Sequence, residues 1–155
     1  MNKGAIMDGP YRYKLWRWWG NARPALFVML NPSTADAERD DPTIRRCQGF
    51  AERWGYGGLE VVNLFAYRST TPLRTIGEGA IGPLNDAMIV KAAMSAGVIV
   101  AAWGNRGGAL GRDKAVLDLL ERAWNGTIYC LGTTAQGQPR HPLYVRGDTK
   151  LEKVR

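Results

Sequence analysis

Two asparagines and one histidine stand where apolar segments of the chain give way to polar loops. Asn31 and Asn63 each directly follow a short apolar run, and His141, the only histidine, comes after the last such run. A carboxamide offers a hydrogen-bond donor and an acceptor side by side, and an imidazole can donate or accept a proton near neutral pH. The sequence therefore places binding and proton-transfer chemistry at the ends of apolar segments.

The segment after Asn31 is rich in groups that could contact a ligand. Pro32 has no N–H and disfavours helical geometry at the residue before it, so the chain must leave the apolar segment here. Ser33, Thr34 and Asp36 then supply two hydroxyls and a carboxylate. These side chains could form part of a site, or one of them could cap a following helix.

The elements that must position these residues follow from hydrophobic periodicity. Apolar runs bounded by turn residues indicate strands buried on both faces, and four occur, at residues 25–30, 59–62, 98–102 and 127–131. The spacing of apolar residues predicts helices between these strands, at residues 42–54, 82–96 and 112–124. Asp41 before Pro42 is typical of an N-cap followed by proline at the first helical position.

Strands that alternate with helices in this way form parallel sheets, whose sites lie beyond the carboxyl ends of the strands. We therefore predict an α/β fold: a three-layer αβα sandwich with a largely parallel four-stranded central sheet and an N-terminal edge hairpin. A single domain should cover residues 1–155, with residues 1–10 frayed. We expect the polar ends of the strands to share one edge of this sheet, which places together Asn31, Asn63, Trp103 and His141.

Two segments of the sequence allow two interpretations each, and a third segment lacks periodicity. Residues 11–16 alternate aromatic or apolar with basic side chains; we favour their covering the sheet, since large aromatics dominate burial, over stacking on nucleic-acid bases. The glycine-rich loop at residues 104–108 could admit a phosphate or form a tight turn. Residues 74–81 are predicted to be a loop.

Composition restricts the class of partner. The 155 residues carry 21 Lys and Arg against 14 Asp and Glu, a formal charge of +7, which favours an anionic partner, with nucleic acid first. Two distant cysteines have no metal-ligand spacing and indicate neither a disulfide framework nor a metal site. No membrane-length apolar run occurs. We expect a cytoplasmic monomer without a metal or cofactor.

Four short motifs resemble the uracil-DNA glycosylase superfamily. Residues 30–33, Leu-Asn-Pro-Ser, resemble its first loop, Gly-x-Asn-Pro-Gly, and the segment at 63–72 is similar to its Asn-Val-Val-x-x-Arg-Pro-Pro strand end. Ala-Trp-Gly at 102–104 stands where that superfamily has an apolar strand ending in Leu-Gly, and His-Pro-Leu at 141–143 resembles its His-Pro-Ser loop.

A resemblance along the whole chain is closer. The segments Leu-Asn-Pro-Ser-Thr-Ala-Asp, Asp-Asp-Pro-Thr-Ile-Arg-Arg-Cys, Asn-Leu-Phe-Ala-Tyr-Arg-Ser and Arg-His-Pro-Leu-Tyr look like the family called domain of unknown function 1643. That family names no activity, so this resemblance bears on the fold rather than on the chemistry.

The glycosylase resemblance implies cleavage of the N-glycosidic bond of a base flipped out of DNA, or of a related nucleotide. It implies that Asn31, with Asp36, orients a water, that Asn63 reads the base edge, and that His141 donates a hydrogen bond to the departing base. It assigns stacking on the base to one of Phe65, Tyr67 and Trp103. It assigns nucleic-acid contacts to Ser33, Thr34, Arg68, Arg106, Arg140 and Arg146.

Two alternatives remain open. A non-catalytic module could bind nucleic acid or a nucleotide through the same cleft, since Leu143 replaces the serine of the His-Pro-Ser loop and Asn31 is a poor proton acceptor. An unrelated small-molecule enzyme or a protein-interaction domain could also use this sheet.

Overall fold

The computed structural model describes residues 1–70 and 77–154. Residues 74–76 of the predicted loop, and the last two residues of the motif at 63–72, lie outside the described residues. Within those residues, seven strands form one mixed sheet. They are β1 (Asn2–Asp8), β2 (Tyr11–Trp18), β3 (Ala25–Met29), β4 (Gly58–Asn63), β5 (Val98–Ala101), β6 (Ile128–Cys130) and β7 (Glu152–Lys153).

The order of the strands across the sheet is β1-β2-β4-β3-β5-β6-β7. The four apolar runs form β3, β4, β5 and β6, which are parallel neighbours as predicted. The prediction of a largely parallel, four-stranded sheet is wrong, because β1, β2 and β7 extend it with antiparallel pairings at both edges. The segment at 1–10, predicted to be frayed, contains β1, whose backbone pairs with β2.

In the part of the chain that the structure describes, three α-helices cover the sheet: α1 (Pro42–Arg53), α2 (Asn85–Ser95) and α3 (Arg112–Ala123). α1 begins where predicted because the Asp41 carboxylate accepts the Ile44 N–H at 2.8 Å. α2 begins later than the predicted residue 82, since Gly82 has φ of 90°, a left-handed conformation that ends rather than starts a right-handed helix.

The sheet separates two apolar cores. On one side, Ile44, Cys47 and Phe50 of α1 pack against β3 and β4. On the other side, α2 and α3 supply Ile89 and Val116 to the second core. None of the helices in the described ranges combines the length and apolar character needed to cross a bilayer.

Strand β2 contains an irregularity that affects the site. Ile6 pairs with Lys14 but Met7 pairs with Arg12, so the register passes over Tyr13. A β-bulge of this kind re-aims the side chains that flank it. The Tyr13 hydroxyl accordingly accepts the Leu84 N–H next to α2, while the Arg12 guanidinium lies on the opposite side of the sheet, beside the loop between β3 and α1.

Candidate functional site

A cavity of about 480 Å³ opens at the carboxyl ends of β3, β4 and β5. Its lining includes Asn31, Asn63, Trp103 and His141, the four residues expected at one edge of the sheet. The structure brings them together because each follows a strand of the same parallel set. Three further predicted residues also line the cavity: Ser33, Arg106 and Arg140.

Asn63 ends β4 and lies in the depth of the cavity. Only 1 % of its surface is exposed, and neither Nδ2 nor Oδ1 has a hydrogen-bond partner among the described residues. Its backbone is fixed, because Asn85 Nδ2 donates to its carbonyl oxygen at 2.9 Å. Buried polar groups are normally paired, so this carboxamide is available to a ligand.

His141 is positioned by the segment that follows β6. Arg140 N–H donates to Gly132 O at 2.9 Å, and Gly104 N–H donates to Pro139 O at 2.8 Å. The His141 Nδ1 accepts the Leu143 N–H at 3.2 Å, so a neutral ring carries its proton on Nε2. Burial lowers the pKa of His141 below its ordinary value, which favours this neutral form at pH 7.

Trp103 lies almost fully buried in the cavity wall. Its indole Nε1 donates to Gln138 Oε1 at 2.9 Å, and Gln138 Nε2 in turn donates to Asp113 at 3.0 Å. Gly107 makes room for the ring, since a Cβ there would meet Trp103 Cδ1 at 2.0 Å. The glycine-rich loop after β5 therefore packs closely against the indole.

Tyr144 stands at the mouth of the cavity with 78 % of its surface exposed. Its ring centroid lies 5.5 Å from that of His141. Arg46 of α1 holds this turn by donating to the carbonyls of Pro142 and Val145. An exposed aromatic ring held beside a cavity can stack on a planar ligand.

Asn31 faces the cavity from the loop after β3. Its Nδ2 donates to the carbonyls of Pro32 and Ser69 at 3.2 and 3.4 Å. Its Oδ1 therefore remains as an acceptor, which can orient a water but cannot remove its proton.

Arg12 and Asp41 are the buried charged residues of the lining. Arg12 Nη1 donates to Ala35 O at 3.0 Å, while its Nε has no partner among the described residues. Burial lowers the Arg12 pKa to about 10, so the side chain stays cationic at neutral pH. The Asp41 carboxylate accepts backbone N–H groups on both oxygens, from Ile44 at 2.8 Å and Ala35 at 3.3 Å.

Six of the predicted site residues do not line the cavity in the described structure: Thr34, Asp36, Phe65, Tyr67, Arg68 and Arg146. Asp36 Oδ1 accepts the N–H groups of Glu38 and Arg39 at 2.9 and 2.7 Å. These bonds lower the Asp36 pKa, which makes it a weaker base. Asp36 thus stabilises its own loop.

The other members of that set have separate positions. Phe65 is fully buried in the core under α2 and α3, and the Tyr67 ring meets Tyr11 edge-on at 6.1 Å. Arg68 donates to the carbonyls of Ser33 and Thr34, both at 3.4 Å, and so braces the cavity loop. Arg146 is exposed and pairs with Asp148 at 3.2 Å.

Sequence reasoning missed Arg12, Asp41 and Tyr144 as lining residues. Asp41 was predicted only as a helix cap, and Tyr144 carries a weak signal, three residues beyond His141. Nothing local marks Arg12, because its burial depends on β1 and β4 flanking β2 and on the bulge at Tyr13. Among the described residues, no group of three His, Cys, Asp or Glu side chains could hold a metal ion.

The fold and the cavity define a mixed α/β protein with a cleft beyond the ends of parallel strands, whose charged lining residues, among those described, are three arginines and one aspartate. Residues 12–143 match the family described as "Protein of unknown function (DUF1643)", and the chain belongs to that family. The resemblance to this family is thereby confirmed. Neither a curated protein nor a solved structure matches the chain, so these comparisons give the glycosylase resemblance no support.

Proposed function

We propose that the cleft binds the nucleobase of a negatively charged nucleotide. The nucleotide is either exposed from a nucleic acid or free. The observation that carries this proposal is the unpartnered carboxamide of Asn63 at the cleft floor. A base edge with adjacent N–H and C=O groups matches the donor and acceptor of an asparagine. Leaving such a buried group unpaired costs about 1–3 kcal/mol, which ligand binding would recover.

The rest of the lining is consistent with a base and its phosphate. The cavity of about 480 Å³ is within the range of roughly 300–1,000 Å³ typical of small-molecule sites. Tyr144 at the mouth supplies exposed aromatic surface, whereas the ring of Trp103 is almost fully buried in the wall. Arg106 and Arg140, both exposed at the mouth, supply the cationic groups that phosphates prefer.

Titration calorimetry tests base recognition. The ligands are the common free bases and their nucleoside monophosphates, with ribose 5-phosphate as a control that lacks the base. Wild-type protein should bind at least one base-containing compound more tightly than the control. Asn63→Leu should weaken that binding roughly 5- to 150-fold, whereas Asn125→Ala, in an exposed turn, should not. Equal binding of ribose 5-phosphate, or full affinity in Asn63→Leu, would contradict the proposal.

Salt dependence separates nucleic acid from free nucleotide as the partner. Binding of a labelled oligonucleotide should weaken steeply between roughly 50 and 200 mM salt, because phosphate contacts release counterions. Replacing Arg106 and Arg140, the exposed arginines of the lining, with Gln should flatten the slope. No oligonucleotide binding at the lower salt concentration, in a protein that binds nucleotides, would restrict the partner to free nucleotides.

Cleavage of the N-glycosidic bond is a second candidate, favoured by His141. A neutral ring with its proton on Nε2 could donate to a base oxygen as negative charge builds during bond cleavage. Both Asp41 oxygens accept backbone N–H groups, so no carboxylate of the described lining is available as a strong base. Any water would be oriented by the Asn31 Oδ1, which is why binding alone is the better-supported proposal.

Release of free base from oligonucleotides and nucleotides measures this second function. His141→Ala should lower turnover roughly 100- to 1,000-fold, the usual effect of losing one such donor, with the melting temperature nearly unchanged. A large loss of melting temperature with little change in turnover would show that His141 is structural. Absence of any base release by wild-type protein that binds bases would leave only the binding function.

A further inference from the structure

The floor of the cleft contains a buried cation that lacks a paired anion. Arg12 has 2 % of its surface exposed and lines the cavity. A buried charge is stable only when it is paired or fully hydrogen-bonded. Yet no ion pair joins Arg12 to a described carboxylate, and the only hydrogen bond of its guanidinium to a described residue is Nη1 to Ala35 O.

The charged groups around Arg12 do not meet this need. Asp41 is the strongest influence that favours the cation, and Asp36 is a weaker one. The two Asp41 oxygens cap α1 and bind Ala35 N–H, and Asp36 binds its own loop. Arg17 and Arg68 add like charge and disfavour a second cation. The Arg12 guanidinium therefore remains a cation at the floor of the cavity, without a neutralising anion among the described residues.

A β-bulge in β2 places Arg12 at the floor of the cleft. Without the bulge, regular alternation from Leu15 would put Tyr13, not Arg12, on the α1 side of the sheet. The register shift between Ile6 and Met7 exchanges these two side chains. The guanidinium Nε–H, which has no partner among the described residues, forms with Nη2 the two-donor edge that binds carboxylates and phosphates in bidentate geometry.

We propose that Arg12 forms an oxyanion subsite at the buried end of the cleft, which takes a carboxylate or phosphate of the ligand. That oxyanion would belong to the same ligand as the base that contacts Asn63. This part of the inference rests on the proposed function. The ligand class is then a nucleobase or nucleotide with a negative group at its buried end, in addition to any phosphate near Arg106 and Arg140.

The test compares two ligands that differ by one carboxylate: uracil and orotate, which is uracil with a carboxylate on C6. Acetate and inorganic phosphate are the separate anion probes, and chloride is the background salt. Thermal shift and calorimetry are run on wild-type protein, Arg12→Met and Arg12→Lys. Arg45→Met, an exposed arginine of α1 outside this cavity, is the matched control.

Wild-type protein should bind orotate roughly 10- to 150-fold more tightly than uracil, the range for a charge-assisted hydrogen bond. Arg12→Met should abolish this preference while folding normally, and Arg12→Lys should retain little of it, because Lys lacks the two-donor edge. Arg45→Met should behave as wild type. If Arg12→Met does not fold, Arg12→Lys alone decides, since it keeps the charge.

The other outcomes separate this inference from the proposed function. Equal affinity for orotate and uracil would overturn the subsite and leave base binding intact. Saturable, Arg12-dependent stabilisation by acetate or phosphate, without base binding, would support the subsite and contradict the proposed function. If acetate raises the melting temperature more than phosphate does, the group bound by Arg12 is a carboxylate. If phosphate has the larger effect, the group is a phosphate. If no anion stabilises the protein in a way that depends on Arg12, the subsite is overturned.

Discussion

Two buried arginines on strand β2 contact the loop between β3 and α1. They differ in how many of their guanidinium nitrogens are hydrogen-bonded. Arg17 is fully buried and uses every nitrogen: Nε donates to Asp40 at 2.8 Å, Nη1 to Trp16 O at 2.9 Å and Nη2 to Asp36 O at 2.7 Å. Arg12 makes one such bond, to Ala35 O. The saturated guanidinium holds the fold together, whereas the unsaturated one lines the cavity.

The same contrast separates two buried asparagines. Asn85 Nδ2 donates to the carbonyls of Asn63 and Leu64 at 2.9 and 3.1 Å, which secures the end of β4. The Asn63 carboxamide, in the cavity, has no partner on either atom among the described residues. Asn85 Oδ1 also has no partner among the described residues, but Asn85 does not line the cavity. The contrast is therefore that Asn85 uses its amide group within the fold, whereas Asn63 leaves both of its polar atoms unpaired in the cavity lining.

The largest expected effect comes from the arginine pair. Arg17→Met should lower the free energy of unfolding by about 3–5 kcal/mol, because it removes the buried member of the ion pair with the partly exposed Asp40 and leaves several carbonyls without a donor. Arg12→Met should change the stability much less, since losing the hydrogen bond to Ala35 O is offset by removing a buried charge without an ion-pair partner. Urea denaturation measures both. Equal losses in the two variants would mean that Arg12 is also structural.

A smaller effect is expected at the start of α1. Asp41→Ala removes the N-cap of the helix and should lower the free energy of unfolding by about 1 kcal/mol. Thr43→Ala, on the same turn and lining the cavity, serves as the control for a loss of side-chain volume. If Asp41→Ala were as stable as wild type, the carboxylate would instead be available for ligand chemistry.

The smallest expected effect is the pH dependence that His141 contributes. Its pKa in the folded protein is lowered from the ordinary 6.5, first by burial, with Asp41 opposing. Between the two pKa values the unfolded chain binds more protons, so stability is fully present above pH 6.5 and falls as the pH drops through the folded pKa. His141→Gln should flatten this part of the urea-denaturation profile. An unchanged profile would contradict the burial of the ring.

The sequence predicted the parallel strands and the meeting of Asn31, Asn63, Trp103 and His141, because each of these residues follows a strand of one parallel set. Hydrophobic continuity is a local signal and marks such strands directly. Phe65, two residues beyond Asn63, was assigned to the base for its aromatic ring. It packs in the opposite core, because the chain beyond β4 no longer follows the geometry of the strand.

The antiparallel parts of the sheet were less accessible to prediction. β1 is mostly exposed, so its sequence lacks the apolar run that marks a buried strand, and it is stabilised by pairing with β2. The site role of Arg12 depends on that pairing, on the bulge and on the contact with Ala35. These are long-range features that no local pattern records.

The most direct test of the central claim is the free energy of unfolding of Asn63→Leu in the absence of ligand, with Asn85→Leu as its matched control. If the Asn63 carboxamide is kept for a ligand, Asn63→Leu should be as stable as wild type or more stable. Asn85→Leu should lose about 1–3 kcal/mol, because it removes the side-chain donor to the buried Asn63 carbonyl, while Leu64 O keeps the Arg112 Nε donor at 3.0 Å. A loss in Asn63→Leu as large as that in Asn85→Leu would contradict the account.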